Sequence, residues 1–462
     1  MHKKLLTMAV AGALAAPGLA LAQASVEVYG TLYPSFGRVK YGDGFTARDI
    51  TLASGAPLPN GGAIGVPSMS KFDFQAPSSN FGVRGRESIT SGMTAWFQVE
   101  QNAPLEREAT QAVTVASRNS AAGIQGAFGN VFGGQWTTPW ADLDSLWAIG
   151  QVSVFGPVTS IIGRRETTGT SPNPANLINK ACNTNLIPPG GTGAPNANAT
   201  PQCDSVVGAG GVGHPFWRRA SDMIRYTSPT FGGATFDIMY QVPEHKTAGI
   251  ANGSTVSAEP SMWSSSIKWT GMGGRARIGA AYDRHKDFTS IGEADTGWAV
   301  KGGWNFGVVD VGAAYERNKY KCKLLPFNAT TGNFTPVAAG TNLLNLPALC
   351  GAEGDITAKQ YAIAVSVPVG LGAIKGFWAK AKDMDGPIAF SQTGAKMWGL
   401  GYEHRFSKRT SLGAEWSKIT NNRNAQFTWT GMPPNQLDTG TGNTPVFGSS
   451  VTWTFVGMTH RF

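Results

Sequence analysis

The stretch Asn80-Phe81-Gly82-Val83-Arg84-Gly85-Arg86-Glu87 reads with a period of two: Phe81, Val83 and Gly85 share one face, and Gly82, Arg84 and Arg86 share the other. Met93 to Glu100 repeats the pattern, with Met93, Ala95, Phe97 and Val99 opposite Thr94, Trp96, Gln98 and Glu100. Farther along, Trp298, Val300, Gly302 and Trp304 alternate with Ala299, Lys301, Gly303 and Asn305, and Tyr361, Ile363, Val365 and Val367 with Gln360, Ala362, Ala364 and Ser366. Successive side chains of a strand point to opposite faces. Segments of about ten residues with one apolar and one polar face have the length of a tilted transmembrane strand.

The connections sort into two kinds. Short turns are expected at Thr90-Ser91-Gly92, Gly129-Asn130, Pro229 to Gly233, Gly271 to Gly274, Val369 to Gly372 and Ser407-Lys408. Long polar stretches fall at 41–79, 137–218, 321–356 and 421–448. Short turns on one rim and long loops on the other are the layout of a membrane-spanning barrel. Counting segments predicts sixteen strands, from about Val26–Arg38 to Val451–Phe462. A soluble sandwich would also alternate, but its apolar faces meet between two sheets. Here aromatics recur near strand ends on the apolar face (Trp298, Trp304, Tyr315, Trp398, Tyr402, Trp416), as interfacial girdles require. The fold expected is therefore all-β: one closed sixteen-stranded antiparallel transmembrane β-barrel over residues 23–462.

Composition agrees. The chain has 60 Gly, 14 Trp and only 15% charged residues, fewer charges than an ordinary soluble domain carries. No run approaches the 18 or so apolar residues of a membrane helix. At the N-terminus, His2, Lys3 and Lys4 precede an apolar core, Leu5 to Ala16. Ala20-Leu21-Ala22 offers a small-residue cleavage site before Gln23, with Ala22-Gln23-Ala24 as a second one. Residues 1–22 read as a cleaved Sec signal peptide. In an exported chain the four cysteines, Cys182, Cys203, Cys322 and Cys350, read as disulfides, and four cysteines allow three connectivities. The simplest pairs sequence neighbours, Cys182 with Cys203 and Cys322 with Cys350, each closure contributing about 3 kcal/mol in the chain-entropy model. A metal site is the competing reading, but the spacing is not a zinc pattern. Neither a Gly-x-Ser-x-Gly elbow nor a His-Glu-x-x-His helix is present to suggest an enzyme. No cofactor is expected. The net charge of +9 comes without a nucleic-acid motif.

Several motifs, in order along the chain, resemble the general porins of Gram-negative β-proteobacteria, the neisserial porins among them. Val28-Tyr29-Gly30 is similar to that family's opening strand, and residues 80–85 followed by 95–100 to its second and third. Arg225-Tyr226-Thr227-Ser228-Pro229 with Phe231-Gly232-Gly233 resembles its sixth strand and turn. Leu400-Gly401-Tyr402-Glu403, Ser407-Lys408-Arg409-Thr410 and Ala414-Glu415-Trp416 resemble its next-to-last hairpin. The terminal Phe462 looks like the family's signal for the barrel-assembly machinery. The resemblance implies an outer-membrane homotrimer embedded in lipid, passing small hydrophilic solutes and ions, with an inward-folded third loop narrowing each pore. Two departures stand out. Gln135 occupies the place of a family arginine, and the third-loop region, about 137–218, is long and holds Cys182 and Cys203.

A pore with a mild preference for anions accounts for the basic charge, because rings of Arg and Lys select anions at a constriction. The expected filter sets Arg38, Arg84 and Arg86 against Asp142 and Asp144 on the third loop, with Gln135, Arg219 and Arg225 also lining the pore. Glu100, Asp237, Asp310, Glu403 and Glu415 face inward by alternation and make the wall mixed. The alternative is a substrate-selective channel whose long third loop shapes a site, with Trp140, Trp147, Phe155, Phe216 and Trp217 available for stacking.

Overall fold

The computed structural model describes residues 25–45, 65–76, 79–103, 105, 115–148, 161–162, 216–242, 247–251, 254–259, 261–286, 293–322, 327–328, 333–334, 354–386, 392–425, 427–428, 436–438 and 443–462. The expected signal peptide, Cys182, Cys203, Cys350, the side chain of Cys322 and Phe155 lie outside them.

Sixteen antiparallel strands close into one barrel. Strand β1 is Ser25–Leu32 continued by Ser35–Tyr41, and β2 is Met69–Gln75 continued by Asn80–Thr90. Then come β3 (Met93–Asn102), β4 (Ser120–Gly126), β5 (Gly129–Thr137), β6 (Arg219–Thr227), β7 (Ala234–Gln241) and β8 (Ser261–Gly271). The remainder are β9 (Ala276–Lys286), β10 (Ala294–Asn305), β11 (Asp310–Cys322), β12 (Gly354–Val369), β13 (Gly372–Ala381), β14 (Ala395–Arg405), β15 (Thr410–Asn421) and β16 (Val451–Arg461). Pro34 splits β1, since proline cannot donate to the ladder. The turn expected at Gly129-Asn130 lies two residues earlier, at Ala127-Phe128. Gly129 takes φ +106° there, which a residue with a side chain rarely adopts.

Closure is made by β16, which pairs with β15 on one side (Leu412 opposite Met458) and with β1 on the other (Gly37 opposite Phe455). The last residue finishes the seam. Gly30 N donates to the Phe462 carbonyl at 3.3 Å, and Phe462 N to the Gly30 carbonyl at 3.2 Å. The Phe462 ring covers Gly30 so closely that a Cβ there would stand 2.5 Å from it.

The outer face is apolar and open: Val28, Ile267, Leu400 and Val456 are each more than half exposed. A water-soluble protein does not expose a continuous apolar belt of this kind. Outer rings of adjacent strands touch: Trp298 lies diagonally on Tyr315 at 5.1 Å and Tyr361 on Trp378 at 5.5 Å, while Trp378 stands directly opposite Trp398 at 6.1 Å. The inner face departs from the simple polar expectation in more than one sector: Phe132, Met223, Met239 and Met262 cluster on β5–β8. From β11 through β16 to the second half of β1, inward Phe377, Met397, Ile419, Trp453, Phe455, Val39 and alanines between them are buried in one apolar cluster. Trp147, Ile161 and Ile162, from the connection after β5, belong to the same cluster.

Filling the Gly30 position should open the seam. Gly30→Leu is expected to cost about 1–3 kcal/mol through overpacking. The check is the temperature at which unheated protein loses its compact gel mobility, which should fall; an unchanged temperature would mean that the Phe462 ring does not hold the closure.

Candidate functional site

The connection after β5 enters the barrel as a helical turn, α1 (Pro139–Asp142), followed by a 3-10 turn at Leu143–Leu146. Thr138 caps α1, its Oγ1 accepting from Ala141 N at 3.2 Å, and Pro139 stands at the first position, where a missing N–H costs nothing. Trp140, Leu143 and Trp147 are fully buried. The wall makes room by omitting side chains. A Cβ on Gly279 of β9 would lie 2.7 Å from Leu146 and 2.8 Å from Leu143, and one on Gly312 of β11 would meet the Trp147 carbonyl.

Two ionic clusters fasten this loop root. Lys301 of β10, fully buried, donates to Asp144 at 2.7 Å and pairs with Glu316 of β11 at 2.5 Å. Asp144 also accepts from Trp147 Nε1 at 2.9 Å and from Trp217 Nε1. The second cluster is built on Arg225 of β6, which pairs with Asp142 at 2.5 Å and with Asp237 of β7 at 2.6 Å. Its Nη1 donates to the Thr137 carbonyl at 3.0 Å. Lys268 of β8 reaches Asp237 at 3.0 Å. Arg277 of β9 donates to the Leu146 carbonyl at 3.1 Å and pairs with Asp310 at 2.6 Å. Burying a charge is costly unless it is paired in this way.

The predicted filter is redistributed. Arg84 and Arg86 do face the lumen from β2, in register with Glu27 and Ser25. Arg84 lies 2.8 Å from Glu27 and 4.7 Å over the Tyr29 ring, while Arg86 is exposed and makes no ion pair among the described residues. Asp142 and Asp144 do not oppose them freely, because both are held by wall cations. Arg225 is bound into the loop anchor, and Arg219 donates to Asn119 at 2.9 Å. Two expected pore-lining positions are corrected by strand parity. Arg38 lies on the outer face, where it donates to Ser70 at 2.9 Å beside the stacked pair Phe36 and Phe72. Gln135 alternates away from inward Phe132 and Trp136, and donates to the Arg118 carbonyl at 3.3 Å.

Some lumen residues were not anticipated. Glu27 pairs with Arg84, and Arg118 pairs with Glu100 at 2.5 Å. Glu27 was readable, since Val26 and Val28 mark the other face of its strand; Arg118 precedes β4 and carries no alternation. At the short-turn mouth a cavity of about 410 Å³ is lined by neutral hydrogen-bonding groups, Ser88, Thr94, Gln125, Asn130 and Thr227 among them.

A closed, lipid-facing barrel with a loop root docked inside defines a transmembrane β-barrel channel. The chain belongs to the Gram-negative porin family, whose model matches residues 7–424. That membership places it in an outer membrane. The fold is similar to an anion-selective porin from Comamonas acidovorans at 20% identity, covering 95% of this chain and 100% of that one, with a TM-score of 0.60. It is also similar to outer-membrane expressed OmpT of Vibrio cholerae (12% identity, 96% and 99% covered, TM-score 0.52). A third similar structure is Salmonella typhi OmpF in complex with daunomycin (14% identity, 95% and 97% covered, TM-score 0.50). No curated protein matches the sequence.

Removing the buried cation tests the anchor. Lys301→Met leaves Asp144 and Glu316 buried without it, a change that costs about 3–5 kcal/mol. The variant should unfold at lower temperature and show a noisier open-channel current in a planar bilayer; quiet, wild-type current would separate the loop root from the conducting path.

Proposed function

We propose that the channel passes small hydrophilic solutes and ions by passive diffusion and prefers anions mildly. The observation carrying the preference is the state of the luminal charges. Asp142, Asp144, Asp237, Asp310 and Glu316 are each neutralised by a cation at 3.3 Å or closer. Among the described residues Arg86 stands exposed on the inner wall without such a partner, one alternation from Arg84. An unpaired cation facing water beside a low-dielectric wall raises the local concentration of anions. The Comamonas relative of similar fold is itself anion-selective.

General diffusion is favoured over a binding site made by the third loop. Of the aromatics that could stack on a solute, Trp140, Trp147 and Phe216 are fully buried in the loop root and its packing. Export by a cleaved signal, assembly through the terminal Phe462 and a homotrimeric state belong to the same reading; crosslinking combined with unheated gel mobility tests the trimer.

Reversing Arg84 and Arg86 together to Glu should move the reversal potential toward cation preference when the protein is recorded across a salt gradient. No movement would remove these arginines from any role in selectivity.

A further inference from the structure

Five inward side chains near the short-turn mouth stand in one unbroken row. Ser88 of β2 lies directly opposite Thr94 of β3, Thr94 opposite Gln125 of β4, Gln125 opposite Asn130 of β5, and Asn130 opposite Thr227 of β6. All five are neutral, all can donate and accept hydrogen bonds, and all line the cavity of about 410 Å³. A cleft of that volume holds a small organic molecule. The side chains of Ser88, Thr94 and Gln125 make no hydrogen bond among the described residues, so their polar atoms are open to a solute. Asn130 is oriented by Trp96, whose Nε1 donates to its Oδ1 at 2.8 Å; the amide N–H groups are left for the cavity. Thr227 donates to Asp237 at 2.7 Å, and there the neutral row ends.

The next row toward the barrel centre sets rings behind these groups. Trp96 lies one alternation from Thr94 and Phe132 one from Asn130, with Gly123 of β4 between them. A Cβ on Gly123 would meet Phe132 at 2.5 Å; without one, the two rings approach to 5.3 Å. This lining disfavours two ligand classes. A bare anion finds no charge in it, and an apolar solute would strip water from its polar groups without replacing the hydrogen bonds. A sugar suits it. Sugar hydroxyls both donate and accept, and those two ring carbons apart are separated by about the 4.8 Å between neighbouring strands. The C–H face of the sugar ring packs against the negative face of an aromatic ring. We propose that the short-turn mouth carries a weak binding site for a neutral monosaccharide, built on Ser88, Thr94, Gln125 and Asn130 with Trp96 in the row behind. This rests on the channel reading and adds to it a solute class that the luminal charges do not select.

The test reads the excess current noise of the full-length protein in a planar bilayer. The probes are galactose and triethylene glycol, a solute of similar size with ether oxygens in place of most hydroxyls. In the wild type galactose should raise the noise to saturation, because each bound sugar interrupts the current, and triethylene glycol should not. Thr94→Val and Gln125→Leu each remove hydrogen-bonding groups without adding charge. Each should raise the half-saturating galactose concentration about three- to tenfold. If one variant fails to fold, the other carries the same expectation. Equal noise from the two solutes in the wild type would overturn the proposal, and so would an unchanged half-saturation in the folded variants. The reversal potential across a salt gradient is read in the same membranes, so loss of the sugar site and failure of the anion preference are separate results.

Discussion

A strand crossing hydrocarbon has no water to satisfy its backbone, so every N–H and C=O must find a partner within the sheet. That constraint forces the first and last strands together, and the remaining features follow from where the seam closes. β16 finds β1, and Phe462 hydrogen-bonds to Gly30 while its ring covers the residue too small to obstruct it. With the sheet closed, side-chain alternation has one meaning all round. Outward residues meet lipid and carry the ring belt; inward residues enclose a space the chain must leave partly open.

How that space is divided depends on buried charge. Lys301, Asp144 and Glu316 form a compact group under the loop root, and Arg225 holds Asp142 from the other side. Neither group would be stable with a member missing, because each unpaired charge would remain buried. Together they press Pro139–Trp147 against β7–β11. Beyond it, Ile161 and Ile162 meet the apolar inner wall of β11–β16 and β1. The sector bearing Arg84, Arg86 and Gln125 stays exposed. We infer a water path along β2–β4 from that exposure.

Much of the fold was legible in the sequence because alternation has a simple physical cause and repeats many times. Arg84, Arg86, Lys301 and Glu100 were placed on the inner face by parity alone. Parity puts Arg38 on the outer face, as the structure does, and Gln135 enters the expected pore lining through a family position alone. The apolar inner wall is not legible in the sequence for a related reason. Phe377 and Trp453 alternate correctly, but the rule of apolar outside and polar inside fails where the chain's own loop covers the wall. The anchoring roles of Asp142 and Asp144 needed distances, since a carboxylate on a loop reads the same whether it faces water or a lysine.

The most direct test of a water path along β2–β4 is thiol accessibility during conduction. Arg86→Cys and Phe377→Cys are compared with the unsubstituted chain while a charged, membrane-impermeant thiol reagent is added in a planar bilayer. The account predicts a prompt change of conductance at position 86 and none at position 377. Rapid modification at 377 with position 86 inert would contradict it.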